Sequence, residues 1–88
     1  MVTAEIAARA RALRLRVGCT QDRFASLGGI DRSTVAHVEA GENMLTGHAT
    51  RAAYARAVGI SLDTLAAYLD GSIGLEDAIM RRRKRPAA

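Results

Sequence analysis

Residues 20–41 read TQDRFASLGGIDRSTVAHVEAG, and this stretch decides the fold. Thr20 and Asp31 are favourable N-cap residues, each followed by a short segment with helical spacing of apolar side chains. A Gly-Gly pair at positions 28–29 separates the two segments, as expected at the end of a helix. The pattern predicts a helix from Thr20 to about Gly28 and a second from Arg32 to about Ala40, joined by a tight turn.

The contact between these two helices requires a small residue where they touch and a glycine where the chain turns, and Ala25 and Gly29 meet both needs. The apolar residues of this unit are then expected to face inward: Phe24, Ile30, Val35 and Val38, against Leu13 and Val17 of a preceding helix. The second helix is left with an outward face of Arg32, Ser33, Ala36 and His37. That face fits the major groove of DNA, so the sequence predicts a helix-turn-helix motif over residues 20–41.

Helical patterns continue on both sides of the motif. Before it, the apolar stripe Ile6, Ala10, Leu13 and Val17 predicts a helix that ends at Gly18. After it, we expect helices over about residues 49–58, from Ser61 to about Gly71, and from Leu75 to about Arg83. The prediction is an all-α fold, with a compact domain at residues 1–71 and a C-terminal amphipathic segment with a basic tail at residues 72–88.

Composition narrows the function classes. An 88-residue chain has room for one domain and no large cleft between domains. One cysteine and two isolated histidines indicate neither a disulfide nor a metal site, and we expect no cofactor. No nucleophile, base and orienting group occur together, so an enzyme is not expected. No secretion signal or apolar run of about 18 residues is present, so we expect a cytoplasmic protein without a membrane partner.

The net charge of +4 is a property of the C-terminal end. Residues 81–85 hold five of the thirteen cations, and the rest of the chain has eight cations against nine acids. This run, Arg81, Arg82, Arg83, Lys84 and Arg85, is either a solvated tail or an auxiliary that follows phosphates, and we favour the second interpretation.

Several short motifs occur in register over residues 10–65: Ala10-Arg11-x-Leu13-Arg14, Gly18, Thr20-Gln21, Phe24-Ala25, Gly29-Ile30, Ser33-Thr34-Val35, Val38-Glu39-x-Gly41 and Ala55-x-Ala57-Val58-Gly59-Ile60-Ser61-Leu62. Together they resemble the phage repressor/Cro (lambda-repressor-like) helix-turn-helix family. The resemblance implies a five-helix domain, here followed by the short C-terminal helix.

The resemblance also implies roles for individual residues. Base edges would be contacted by Arg32, Ser33 and His37, and Arg32 suits the two acceptors of guanine. Phosphates would be contacted by Thr20, Gln21, Thr34 and Asn43. An ion pair between Arg14 and Glu39 would join the first helix to the third in a structural role.

Two positions depart from the family pattern. Gly28 stands where an apolar residue is usual, so we expect the second helix to lose a packing group and end early. Arg51 stands where relatives have leucine, so we expect the fourth helix to be rotated or shifted.

The C-terminal third is rich in apolar residues, and we expect them to form a homodimer interface. Such a dimer would place the recognition helices of its two copies about 34 Å apart, so that they bind an inverted repeat in DNA. The residues of that predicted interface are Leu65, Tyr68, Leu69, Ile73, Leu75 and Ile79.

The favoured function is a sequence-specific regulator of transcription, a repressor or autoregulator bound to a double-stranded DNA operator. The alternative is a protein-interaction module, such as an antitoxin or antiactivator, that masks a protein partner.

Overall fold

The computed structural model describes residues 3–43 and 45–82, and within these ranges it contains helices and no strand. The expectation of an all-α fold is confirmed. The six helices are α1 (Thr3–Arg16), α2 (Gln21–Gly28), α3 (Arg32–Glu39), α4 (His48–Val58), α5 (Leu62–Leu69) and α6 (Leu75–Met80).

Hydroxyl N-caps set the beginnings of α2 and α5. The Thr20 hydroxyl accepts the backbone N–H of Arg23 at 3.1 Å, and the Ser61 hydroxyl accepts that of Thr64 at 3.1 Å. Each bond satisfies an amide that the first helical turn leaves free. α2 ends where Gly29 takes a φ of 72°, a left-handed conformation that suits glycine. Local sequence therefore fixes both ends of α2.

The core lies where α1, α2, α3 and α4 meet, and α5 closes it from the far side. Phe24 of α2 and Tyr54 of α4 are fully buried, with ring centroids 4.9 Å apart in an edge-to-face arrangement. Other fully buried core side chains are Leu13, Val35, Val38, Leu45, Val58 and Leu65. Because the two buried valines of α3 share one face of the helix, its opposite face is directed to solvent.

The expectation that α2 loses a packing group at Gly28 is wrong. It is a buried residue at the end of α2, and a Cβ built on it would lie 2.7 Å from the carbonyl oxygen of Ala53 in α4. Arg56, one turn further along α4, donates Nη2 to the Gly28 carbonyl at 2.8 Å. Gly28 is thus the point where the two helix backbones approach each other, and no packing group is missing there.

Leu45 and Arg51 tie the loop before α4 to the rest of the domain. Leu45, in the loop before α4, has a φ of 56° and a fully buried side chain. Arg51 donates Nε to the carbonyl of Leu45 and so holds the loop in this unusual conformation. The loop before α4 therefore supplies one of the large buried side chains of the core.

The C-terminal helix is shorter than predicted and packs on the domain. α6 ends at Met80 and not near Arg83. Ala78 is buried against the core, and Glu76 accepts two hydrogen bonds from Arg16 of α1, each 2.9 Å long. α6 therefore docks beside α1 and α5.

The predicted dimer interface requires the largest correction. Leu65, Tyr68 and Leu69 are 0–2% exposed in the single chain, because they fill the space between α5, α1 and α4. A partner cannot reach these three side chains while the domain is folded. The other predicted interface residues, Ile73, Leu75 and Ile79, are partly buried and pack against the same core.

Candidate nucleic-acid interface

The exposed face of α3 carries the three residues expected to contact bases. Arg32 and Ser33 lie in its first turn and His37 one turn later, and all three are exposed. Behind them, Val35 and Val38 are fully buried and fix the helix against α1 and α2. The structure therefore brings these three side chains together on one solvent-facing surface of a rigid helix.

An open cleft lies at the beginning of this face, and we call it the entry cleft. It is lined by Arg14, Thr20, Gln21, Asp22 and Arg32. Two of the four residues expected to contact phosphates, Thr20 and Gln21, are in it, together with two guanidinium groups. Thr20 is the N-cap of α2, so the N-terminus of this helix also lies at the entry cleft. The partial positive charge of a helix N-terminus favours an anion.

A second open cleft lies at the other end of α3, and we call it the exit cleft. It is lined by His37, Glu42, Asn43 and Thr46. The Asn43 side-chain oxygen accepts the backbone N–H of Leu45 at 2.9 Å, which leaves the Asn43 amide group to donate. The acid Glu42 was not expected here, because a loop has no periodicity from which to predict a side-chain position.

The Arg14–Glu39 ion pair lies directly beneath the entry cleft. Arg14 donates Nε and Nη2 to the two carboxylate oxygens of Glu39, at 2.6 and 2.8 Å. The two side chains are only 9% and 5% exposed. Arg14 also donates Nη1 to the carbonyl of Cys19 at 2.8 Å, so one guanidinium joins α1, the turn before α2 and the end of α3.

The ion pair shifts both ionisation equilibria. Burial alone would raise the pKa of Glu39, but hydrogen bonds from Arg14 and from Gln21 outweigh it and leave that pKa below its ordinary value. The hydrogen bond to Glu39 likewise raises the pKa of Arg14. Both groups are therefore charged at neutral pH.

The other predicted DNA contacts are Thr34 and the basic run at residues 81–85. Thr34 is half-buried in the first turn of α3. Arg81 is exposed, whereas Arg82 donates Nε to the Val58 carbonyl at the end of α4, at 2.8 Å. The expected phosphate contacts of Arg83, Lys84 and Arg85 fall outside the described residues.

Residues 3–43 and 45–82 contain no group of three or more His, Cys, Asp or Glu side chains that could hold a metal ion. Within the same ranges, no helix has the length and apolar character needed to cross a membrane.

A protein-family model matches part of this chain. Residues 11–49, somewhat less than half of the chain, match a protein-family model described as helix-turn-helix. No curated protein and no solved structure matches the chain. The matched region contains α2 and α3, and therefore supports their assignment as a helix-turn-helix.

Proposed function

We propose that this chain is a sequence-specific regulator of transcription that binds double-stranded DNA, with α3 in the major groove. The observation that carries the proposal is the exposed face of α3, which runs from Arg32 at the entry cleft past Ser33 to His37 at the exit cleft. A helix placed in the groove must have a phosphate strand on each side of it, and the two clefts have the matching arrangement.

Each residue has a distinct role in this proposal. The Arg32 guanidinium donates to O6 and N7 of a guanine, and His37 donates to a guanine or thymine acceptor. Thr20 and Gln21 donate to a phosphate in the entry cleft, and Asn43 donates to one on the opposite side. No catalytic role is assigned, because the proposed contacts bind and orient without reaction chemistry.

We further propose that the protein acts as a homodimeric repressor or autoregulator that reads an inverted repeat, in the manner of the phage repressor/Cro proteins. The two-fold axis of the dimer relates its two recognition helices to each other. They then bind two half-sites about one DNA turn apart. The contact between copies uses apolar side chains that the single chain leaves exposed on α5 and α6, such as Leu62 and Met80, which are 38% and 83% exposed.

The test begins with selection of duplexes from a random-sequence library by the wild-type protein, followed by measurement of Kd on the selected duplex. In the test variant, Arg32→Ala is combined with His37→Ala. If each base contact contributes at least about 1 kcal/mol, the double substitution weakens binding about thirtyfold or more. The matched control combines Arg11→Ala with His48→Ala, which removes the same side-chain types from exposed positions outside both clefts.

The outcomes separate the alternatives. Equal weakening by the two double substitutions would show that charge, and not the face of α3, determines binding. If the wild-type protein selects no duplex and shows no salt-dependent binding to DNA, the proposed function is wrong. That result would favour a module that masks a protein partner.

A further inference from the structure

The buried ion pair is in contact with the DNA-binding surface through one side chain. Gln21 donates Nε2 to Oε1 of Glu39 at 3.3 Å, and this same oxygen accepts Nη2 of Arg14 at 2.8 Å. We propose that Glu39 is a positioning residue for DNA binding, because its carboxylate aims the Gln21 amide into the entry cleft. The inference rests on the proposed function, since it assigns that amide to a DNA phosphate.

The two ends of a glutamine amide differ in their hydrogen bonding. The Gln21 side chain has an NH2 group that donates and an oxygen that accepts. An ionised carboxylate only accepts, so the NH2 end must face Glu39. The reverse orientation would place the oxygen of Gln21 against a negatively charged oxygen. Glu39 therefore determines which end of the amide lies beside it.

The same orientation suits a phosphate. One N–H of the Gln21 amide is used by Glu39, and the second remains available to donate. A phosphate oxygen requires such a donor and is repelled by an amide oxygen. Gln21 lies at the first position of α2, where it lines the entry cleft, so its second N–H is near the place where the phosphate is expected.

The carboxylate is itself held rigidly. Arg14 binds both of its oxygens, and the Glu39 side chain is 5% exposed. Arg14 also fixes the Cys19 carbonyl just before α2, which limits movement of Gln21 relative to Glu39. A side chain ordered in this way loses less conformational entropy when it binds DNA. A purely structural ion pair would join the helices equally well without any contact with Gln21.

The test is a double-mutant cycle on the duplex selected by the wild-type protein. The cost of Gln21→Ala is measured in the native protein and in a protein with Arg14→Met and Glu39→Met. Apolar replacement of both partners avoids leaving one buried charge unpaired. In the native protein we expect Gln21→Ala to weaken binding about tenfold, the loss of one hydrogen bond to a charged group. In the doubly substituted protein we expect about twofold or less.

Asn43→Ala is the matched control, because Asn43 lies in the exit cleft, away from the ion pair. Its effect on Kd should be the same in both proteins. If the protein with two methionines lacks the helical circular dichroism of a folded domain, a protein with Arg14→Leu and Glu39→Leu replaces it as the second background, with the same expected decrease in coupling.

A second measurement needs no DNA. The side-chain amide of Gln21 is assigned in a 15N NMR spectrum by its absence in the Gln21→Ala variant. If Glu39 holds it, its two protons have dispersed shifts that move to free-glutamine positions in the protein with Arg14→Met and Glu39→Met. An equal cost of Gln21→Ala in both proteins, or an amide with free-glutamine shifts in the native protein, overturns the inference. Failure of the wild-type protein to select DNA refutes the proposed function and the phosphate assignment, whereas the spectrum still reports the Glu39–Gln21 contact.

Discussion

Substitution of Gly28 by alanine tests whether the contact between α2 and α4 depends on a missing side chain. The added Cβ would lie 2.7 Å from the carbonyl oxygen and 3.2 Å from the carbonyl carbon of Ala53. Both atoms belong to the backbone of α4, so no flexible side chain can move aside. Relief requires separation of two helices that are both packed on the core.

The expected magnitude follows from two opposing effects. Overpacking of a close contact costs about 1–3 kcal/mol, and the backbone atoms met here place Gly28→Ala at the upper end. The higher helix propensity of alanine recovers up to about 1 kcal/mol. The free energy of unfolding should therefore fall by about 2 kcal/mol. Urea denaturation followed by circular dichroism should show a midpoint lower by about 1–2 M with an unchanged slope.

Gly74→Ala is the control, because a Cβ at Gly74 meets no heavy atom within 4 Å. Its free energy of unfolding should remain within about 1 kcal/mol of the native value. If Gly28→Ala is no more destabilising than this control, the close-approach argument is refuted. A more stable Gly28→Ala protein would instead support the expectation, made from the sequence, that this position lacks a packing group.

Four further outcomes follow from buried groups. Tyr54→Phe should leave the thermal midpoint unchanged or raise it, because the buried Tyr54 hydroxyl has no hydrogen-bond partner among the described residues. Tyr68→Phe should cost about 1 kcal/mol in the same melt, because its hydroxyl donates to the Arg9 carbonyl at 2.6 Å. Leu45→Ala should cost about 2–5 kcal/mol in urea denaturation, since it empties a fully buried site. The lowered pKa of Glu39 means that its share of stability is present above the ordinary value of 4.5 and is lost as the pH falls through the folded value. Stability measured from pH 6 down to pH 3 should therefore fall less steeply in Glu39→Gln, and an equal slope would contradict the assignment.

The sequence was sufficient to predict the elements that local chemistry determines. Thr20 caps α2, Gly29 ends it, and the spacing of Val35 and Val38 sets the buried face of α3. These features depend on residues within one or two turns of each other, so a single sequence contains the whole signal. The outward position of Arg32 then follows from the helical period.

Features that depend on distant residues could not be predicted in the same way. Whether Gly28 is a defect or a contact depends on Ala53, which is far away in sequence. Leu45 reaches the core only because Arg51 holds the loop at a positive φ, a conformation that periodicity does not indicate. Leu65 and its neighbours suggested an interface because apolar residues have the same pattern whether another helix or another subunit covers them.

Many arginines of this protein have a structural role and not a DNA-binding one. Within residues 3–43 and 45–82, five arginines donate to backbone carbonyls near helix ends or in loops: Arg9 to Tyr68, Arg14 to Cys19, Arg51 to Leu45, Arg56 to Gly28 and Arg82 to Val58. A small helical domain has many helix ends for its size, and each leaves carbonyls that need a donor. The arginine content of the domain is therefore partly a consequence of how the domain is held together. The case for DNA binding depends instead on where α3 directs its exposed side chains, and on the carboxylate beneath the entry cleft that orients one of them.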